Sequence, residues 1–243
     1  MILISVLTYA LGKQLGIQGA ARELARQLVS IPRVEDDVLP CVRTIQRLRA
    51  LSDCMLFHGA STTLPKARSR GAHSALKAPG IDHWLMIDDD VETDLETLRR
   101  LLAIANTGRV AVLPCAVRST ETDHRVNILW NGQIVQTTGV GGVAFREVRR
   151  GGCGLMIVPR AALERVRDEY APTLSYFDDD GEKRVALFSQ MFVGDPDTQM
   201  WLGEDYSFCE RLRGAGVDIA APVVGSSIHD GAIIDLADAA ALP

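Results

Sequence analysis

Short apolar runs alternate with stretches of helical periodicity through the first half of the chain. Residues 2–7 form an apolar, β-branched run ending at Thr8 and Tyr9, which predicts an opening buried strand. Ala20, Leu24, Leu28 and Ile31 then recur at helical spacing, and Pro32 closes that helix. A second helical stretch through Val42, Ile45, Leu48 and Leu51 leads into Cys54, Met55, Leu56 and Phe57, a compact second strand. Pro65 to Leu76 starts another helix, which carries Lys66, Arg68 and Arg70. Residues 84–87 form a third strand that runs directly into Asp88, Asp89 and Asp90. Val91, Leu95, Leu98 and Leu102 follow at helical spacing, and residues 110–113 supply a further strand with Pro114 at its exit. Repeated β-α units predict an α/β fold, a mostly parallel central sheet flanked by helices, with ligands at the carboxyl ends of the strands.

The second half is less regular. Apolar pairs over residues 128–148, broken by Gly132, Gly139, Gly141 and Gly142, suggest hairpins or a loop. The glycine-rich run 151–154 leads into a strand at 155–158 and a helix at 159–167, and the alanine-rich tail after Gly231 suits a closing helix. Length favours a single domain over residues 1–243. A formal charge of -5 gives no overall attraction to a polyanion. Arg99, Arg100, Arg109, Arg118, Arg125, Arg146, Arg149 and Arg150 gather mid-chain, where a solvated surface is the plainer reading and a phosphate-tracking patch the other. Cys41, Cys54, Cys115, Cys153 and Cys209 show no paired spacing and read as buried, reduced thiols. With no basic leader and no bilayer-length apolar run, the expectation is a cytoplasmic protein without membrane insertion.

Three carboxylates where an apolar strand ends would point into the ligand crevice, and an oxygen-rich site of that kind suits Mg2+ or Mn2+. An ion held by Asp88 and Asp90 would bridge a diphosphate and neutralise the charge that builds as it leaves. The plainer reading is a solvated turn in which Asp90 caps the next helix. A second triplet, Asp178, Asp179 and Asp180, has no strand before it and reads as surface loop. Glu204 and Asp205 stand at a helix start that runs through Phe208 and Leu212 to Gly214 and Gly216. Dipole compensation alone explains such a pair; as chemistry, one carboxylate would accept the proton of an attacking hydroxyl. His229 follows the apolar run 221–224, and a neutral imidazole there would complete a metal's coordination.

Taken in order, these pieces resemble the GT-A glycosyltransferases of the family 2 kind, particularly the short single-domain versions of bacterial and phage genomes. Residues 2–9 carry the resemblance, with 64–69 leading to 84–90, then 152–160, and 203–211 with its downstream His229. The resemblance implies a Rossmann-like GT-A fold, with 1–115 as the nucleotide-sugar-binding half and 116–243 as the acceptor and catalytic half, and transfer of a sugar, with inversion, from a nucleotide-sugar donor, UDP-sugar by default, to an acceptor hydroxyl. It places Thr8 and Tyr9 beside the donor nucleotide, Arg68 near the nucleotide or diphosphate, and Asp88, Asp89 and Asp90 at the ribose and metal. Asp205 is then the base, Glu204 orients the acceptor, and His229 is a metal ligand. Gly152 and Gly154 let the backbone approach the sugar. Two departures from the family pattern are His58 with residues 59–62, where Asp-Gly-Ser is common, and Ser69 after Arg68, where Asn is common. A hydroxymethylated base in phage DNA is one candidate acceptor, with Lys66, Arg68, Arg70 and the mid-chain arginines as phosphate contacts. Saccharides and proteins are the others. The alternatives to sugar transfer are a nucleotidyltransferase and an inactive nucleotide-sugar-binding module.

Overall fold

The structure, a computed structural model, describes residues 1–7, 39–58, 63–116, 126–130, 143–229 and 232–241. In chain order these form β1 (Ile2–Leu7), α1 (Pro40–Arg49), β2 (Cys54–His58), α2 (Leu64–Lys77), β3 (His83–Asp88), β4 (Val91–Thr93), α3 (Leu95–Ala105), β5 (Val110–Val112), β6 (Ile128–Trp130), β7 (Phe145–Gly151) and β8 (Leu155–Pro159). There follow α4 (Arg160–Leu174), β9 (Ser175–Phe177), β10 (Lys183–Val185), β11 (Met191–Val193), β12 (Met200–Leu202), α5 (Glu204–Gly214), β13 (Ile219–Pro222), β14 (Ser226–His229), β15 (Ala232–Asp235) and α6 (Leu236–Ala241). The helix expected over residues 20–31 lies outside the described residues. No helix among those described is long and apolar enough to cross a membrane.

Eight strands make one sheet in the order β2-β1-β3-β8-β5-β13-β7-β6. β1 is parallel to β2 and β3, and β5 to β13; with β8 and β7 reversed, six of the eight strands run in one direction, as expected. β8 runs against both β3 and β5 and welds the two parallel sets together, while β7 runs against β13 and β6. On one face Ile2, Ile4, Leu85, Ile87 and Ile157 pack with Val42, Ile45 and Leu48 of α1 and Leu98, Leu101 and Ile104 of α3. On the other face Leu3, Trp84, Met86, Met156 and Val158 meet Leu163 and Val166 of α4 and Phe208 and Leu212 of α5. The pleat sends successive residues to opposite faces, and burial of both faces is why these strands read as unbroken apolar runs. Gly71 lets α2 lie flush on the sheet: a Cβ there would meet Ser5 Oγ at 2.8 Å and Trp84 at 3.1 Å.

The capping of α3 differs from the expectation. Asp94 accepts from the Thr97 N–H (2.8 Å) and hydroxyl (2.7 Å), so the helix begins at Leu95. Val91 to Thr93 pair instead as a strand in a small sheet, β15-β14-β4. The N-cap of this helix is thus Asp94 and not Asp90.

Asp178 also departs from the expected surface loop. Its carboxylate is 0% exposed, accepts from Arg70 at 2.6 and 2.7 Å and from Arg184, and lies 3.0 Å from Lys66. The local sequence is polar, and the burial comes from cations on α2 and β10. Hydrogen bonds from Arg70, with help from Lys66, hold the Asp178 carboxyl far below the ordinary carboxylate range. A carboxyl depressed in this way stabilises the fold above its unfolded value and loses that contribution as pH falls towards the folded one. Stability to urea is therefore expected to fall once pH drops below the unfolded value of 3.8. Asp178→Asn is expected to cost about 2–3 kcal/mol at neutral pH and to flatten the acid limb, both measurable by urea titration at stepped pH.

Candidate active site

Arg68, in the second turn of α2, is 3% exposed, and three carboxylates converge on it. Its Nη2 lies 3.3 and 3.5 Å from the two oxygens of Asp88, at the end of β3. Its Nη1 donates to Glu204 (3.0 Å) and to Asp205, both in the first turn of α5. The glycine-rich run closes the cluster: the Cys153 N–H donates to Asp205 Oδ2 (3.0 Å), and the Gly154 carbonyl accepts from the Asp88 N–H (2.9 Å). A guanidinium withdrawn from water is tolerated only when it is paired and hydrogen-bonded. Burial works against the charge of Arg68, yet Asp88 and Glu204 outweigh it and its proton is held more tightly than usual. Asp88 responds in the other direction, since burial lifts its carboxyl above the ordinary range and Arg68 draws it back only in part.

His229 reaches the Asp triplet through β14, which pairs antiparallel with β4 and sets His229 opposite Val91. Its Nδ1 lies 2.6 Å from the Ala116 carbonyl and its Nε2 lies 3.5 Å from Asp90 Oδ1. A carbonyl only accepts, so Nδ1 carries a hydrogen, and Nε2 is the ring nitrogen turned towards the carboxylate. An imidazole fixed through its other N–H by a backbone carbonyl is the arrangement of a ligating histidine, so the donor pair fits a divalent ion. Among the described residues no group of three or more His, Cys, Asp or Glu side chains is arranged to hold a metal. Mg2+ commonly takes one or two carboxylates and completes its shell with water and substrate phosphates. The surrounding turn is braced: Ser227 donates to the Pro114 carbonyl (2.5 Å), and Arg43 and Arg47 clamp Glu92 at 2.7 and 2.8 Å.

The other expected site residues are placed as follows. Asp89 is buried, and its carbonyl accepts from the Cys41 N–H (3.5 Å) in the first turn of α1. A Cβ on Gly152 would run into the side-chain amide of Asn127, and one on Gly154 would lie 3.3 Å from Val91. These glycines thus make room for the protein's own side chains. Thr8 and Tyr9 lie outside the described residues. Asn127 and the Cys153 amide carry no signal as single residues, although the glycine run marks where the backbone comes close. The Cys153 thiol is pushed up to about 12 by burial, which disqualifies it as a nucleophile.

Several of the described mid-chain arginines are engaged by other parts of the fold. Arg146 is buried over the Trp130 ring (4.6 Å) and Arg150 is buried on Glu210 (2.6 Å). Arg99 and Arg100 pair with Glu96 at 3.4 and 3.3 Å. Arg118 and Arg125 lie outside the described residues.

No family model matches the sequence, and no curated protein does. Among solved structures, A197 from STIV is 13% identical with a TM-score of 0.51, over 97% of this chain and 94% of that one. GalNAc-T7, solved with UDP, GalNAc and Mn2+, is 12% identical with a TM-score of 0.48; the match covers 94% of this chain but only 43% of GalNAc-T7. An apo UDP-glucose pyrophosphorylase is 10% identical with a TM-score of 0.41, over 97% of this chain and 76% of that one. The chain is an α/β protein that shares its overall fold with A197 from STIV. Identities this low establish the fold alone.

Removing the central cation gives a direct check on the site's electrostatics. In Arg68→Met the carboxyl of Asp88 loses its main counter-charge, and its titration in carbon-detected NMR is expected to move further up.

Proposed function

We propose that this chain is a glycosyltransferase that takes a nucleotide-sugar donor and passes the sugar to a hydroxyl, with Mn2+ or Mg2+ as cofactor. The observation that carries this reading is the convergence of Asp88, Glu204 and Asp205 on Arg68, with the Asp90–His229 pair on the turn that follows Asp88, at the carboxyl ends of the parallel strands β1 and β3. Asp88, Asp90 and His229 are the residues that would hold the ion, which when bound neutralises charge on the departing diphosphate. Arg68, the cation at the centre of the cluster, is the residue that would draw the diphosphate to the site. Asp89, buried against α1, holds the turn that presents its two neighbours.

Asp205 is positioned by the Cys153 amide and Arg68 and keeps a lone pair for the acceptor's proton. The acceptor oxygen bonds to the anomeric carbon as the bond from that carbon to the diphosphate oxygen breaks. The bonding pair leaves with the diphosphate, and the hydroxyl proton passes to Asp205. Attack opposite the leaving group inverts the centre, and Glu204, one residue away, orients the acceptor. UDP is the default nucleotide of the donor. A DNA acceptor loses support, because Lys66 and Arg70 are held by Asp178 and Asp179 and Arg146 and Arg150 are buried within the fold.

In a screen of nucleotide sugars by thermal shift, stabilisation is expected only with Mn2+ or Mg2+ present, and Asp90→Ala or His229→Ala is expected to abolish that metal dependence. Asp205→Asn is expected to retain the donor-induced shift while turnover falls by about a thousandfold. Wild-type turnover in that variant would remove Asp205 from the role of base, and release of pyrophosphate in place of nucleoside diphosphate would make the protein a nucleotidyltransferase.

A further inference from the structure

β12 delivers Glu204 and Asp205 to the start of α5, and the two-stranded ribbon that it forms with β11 is exposed on one face. Phe192 and Trp201 are cross-strand partners, 61% and 64% exposed, with their rings stacked at 6.4 Å. Met200 beside them is also exposed, whereas Leu202 is buried. The base of the ribbon is fixed to α5: Ser207 Oγ accepts from the Met191 N–H (3.1 Å) and donates to the Leu202 carbonyl (3.3 Å). Arg211 further ties down the approach to β11 through the Leu187 and Ser189 carbonyls (2.9 and 2.6 Å). The aromatic pair is therefore anchored to the helix that carries the proposed base. Two large rings held together in water mark a surface that is covered by a ligand in use.

Charge narrows what that ligand is. The ribbon and its turn, residues 189–203, contain Asp195 and Asp197 and no Lys or Arg, and Glu204 follows immediately. A phosphate backbone would be repelled there. A neutral sugar ring offers an apolar C–H face to the aromatic pair and hydroxyl donors to the carboxylates. We infer that the β11–β12 ribbon is the acceptor platform and that the acceptor is an uncharged saccharide; the inference rests on the transferase reading.

The test uses the protein's own fluorophore. Of the three tryptophans, Trp84 and Trp130 are buried and Trp201 alone faces water, so a shift in the solvent-exposed part of the emission reports on the ribbon. The full chain is titrated with lactose, maltose, cellobiose and N-acetylchitobiose, and separately with a thymidine oligonucleotide. At least one disaccharide is expected to shift Trp201 emission to the blue, the oligonucleotide is expected to leave it unchanged, and Phe192→Ala is expected to weaken the disaccharide by about tenfold, with partial recovery in Phe192→Tyr. The inference is overturned if no disaccharide moves the emission, if only the oligonucleotide does, or if Phe192→Ala binds the disaccharide like wild type. Donor turnover is read in parallel on the same samples. Nucleoside diphosphate release without a disaccharide response sinks the platform and spares the transferase, whereas a disaccharide response without any donor turnover sinks the transferase and leaves a saccharide site.

Discussion

A positive charge sealed inside a protein has to be answered by negative charge at hydrogen-bonding distance, and Arg68 imposes that demand on this fold. Its partners come from the end of β3 and the start of α5, 20 and 136–137 residues along the chain. Docking α5 against the sheet and assembling the acidic cluster are consequently one event. The guanidinium also offsets the mutual repulsion of three carboxylates brought into one confined space. The cluster is thus organised around a single cation.

Much of the central sheet was legible in the sequence because its strands are buried on both faces and its helices carry one apolar stripe. The runs at 2–7, 54–57, 84–87, 110–113 and 155–158 correspond to β1, β2, β3, β5 and β8. The candidate residues Asp88, Asp90, Glu204, Asp205 and His229 could be named because each stands where a strand or helix begins or ends, the places where side chains leave the core. Their mutual geometry is a property of the fold, and chain order alone does not contain it.

What escaped the reading has specific physical causes. Strands of three residues such as β4, β9 and β11 are too short to show a period, and β4 lay hidden in spacing that also fits a helix. The Asp94 cap decided the matter, because its carboxylate satisfies both the N–H and the hydroxyl of Thr97. Asp178 looked like solvated loop because polarity is a local property, whereas its burial depends on Arg70 at a separation of 108 residues. At Gly152 and Gly154 an added Cβ would meet Asn127 and Val91, packing that comes from residues remote in the chain or beyond a turn.

Helix α2 presents cations on both sides. Lys66 and Arg70, four residues apart, face the acidic turn after β9, while Arg68, between them and roughly 200° around the axis, faces Asp88, Glu204 and Asp205. The helix is gripped from two directions, so it has almost no rotational play: turning it to loosen one set of ion pairs strains the other. Anything that pulls on the Arg68 side chain must therefore act through rotation about that side chain's own bonds, with the helix serving as a stationary axle.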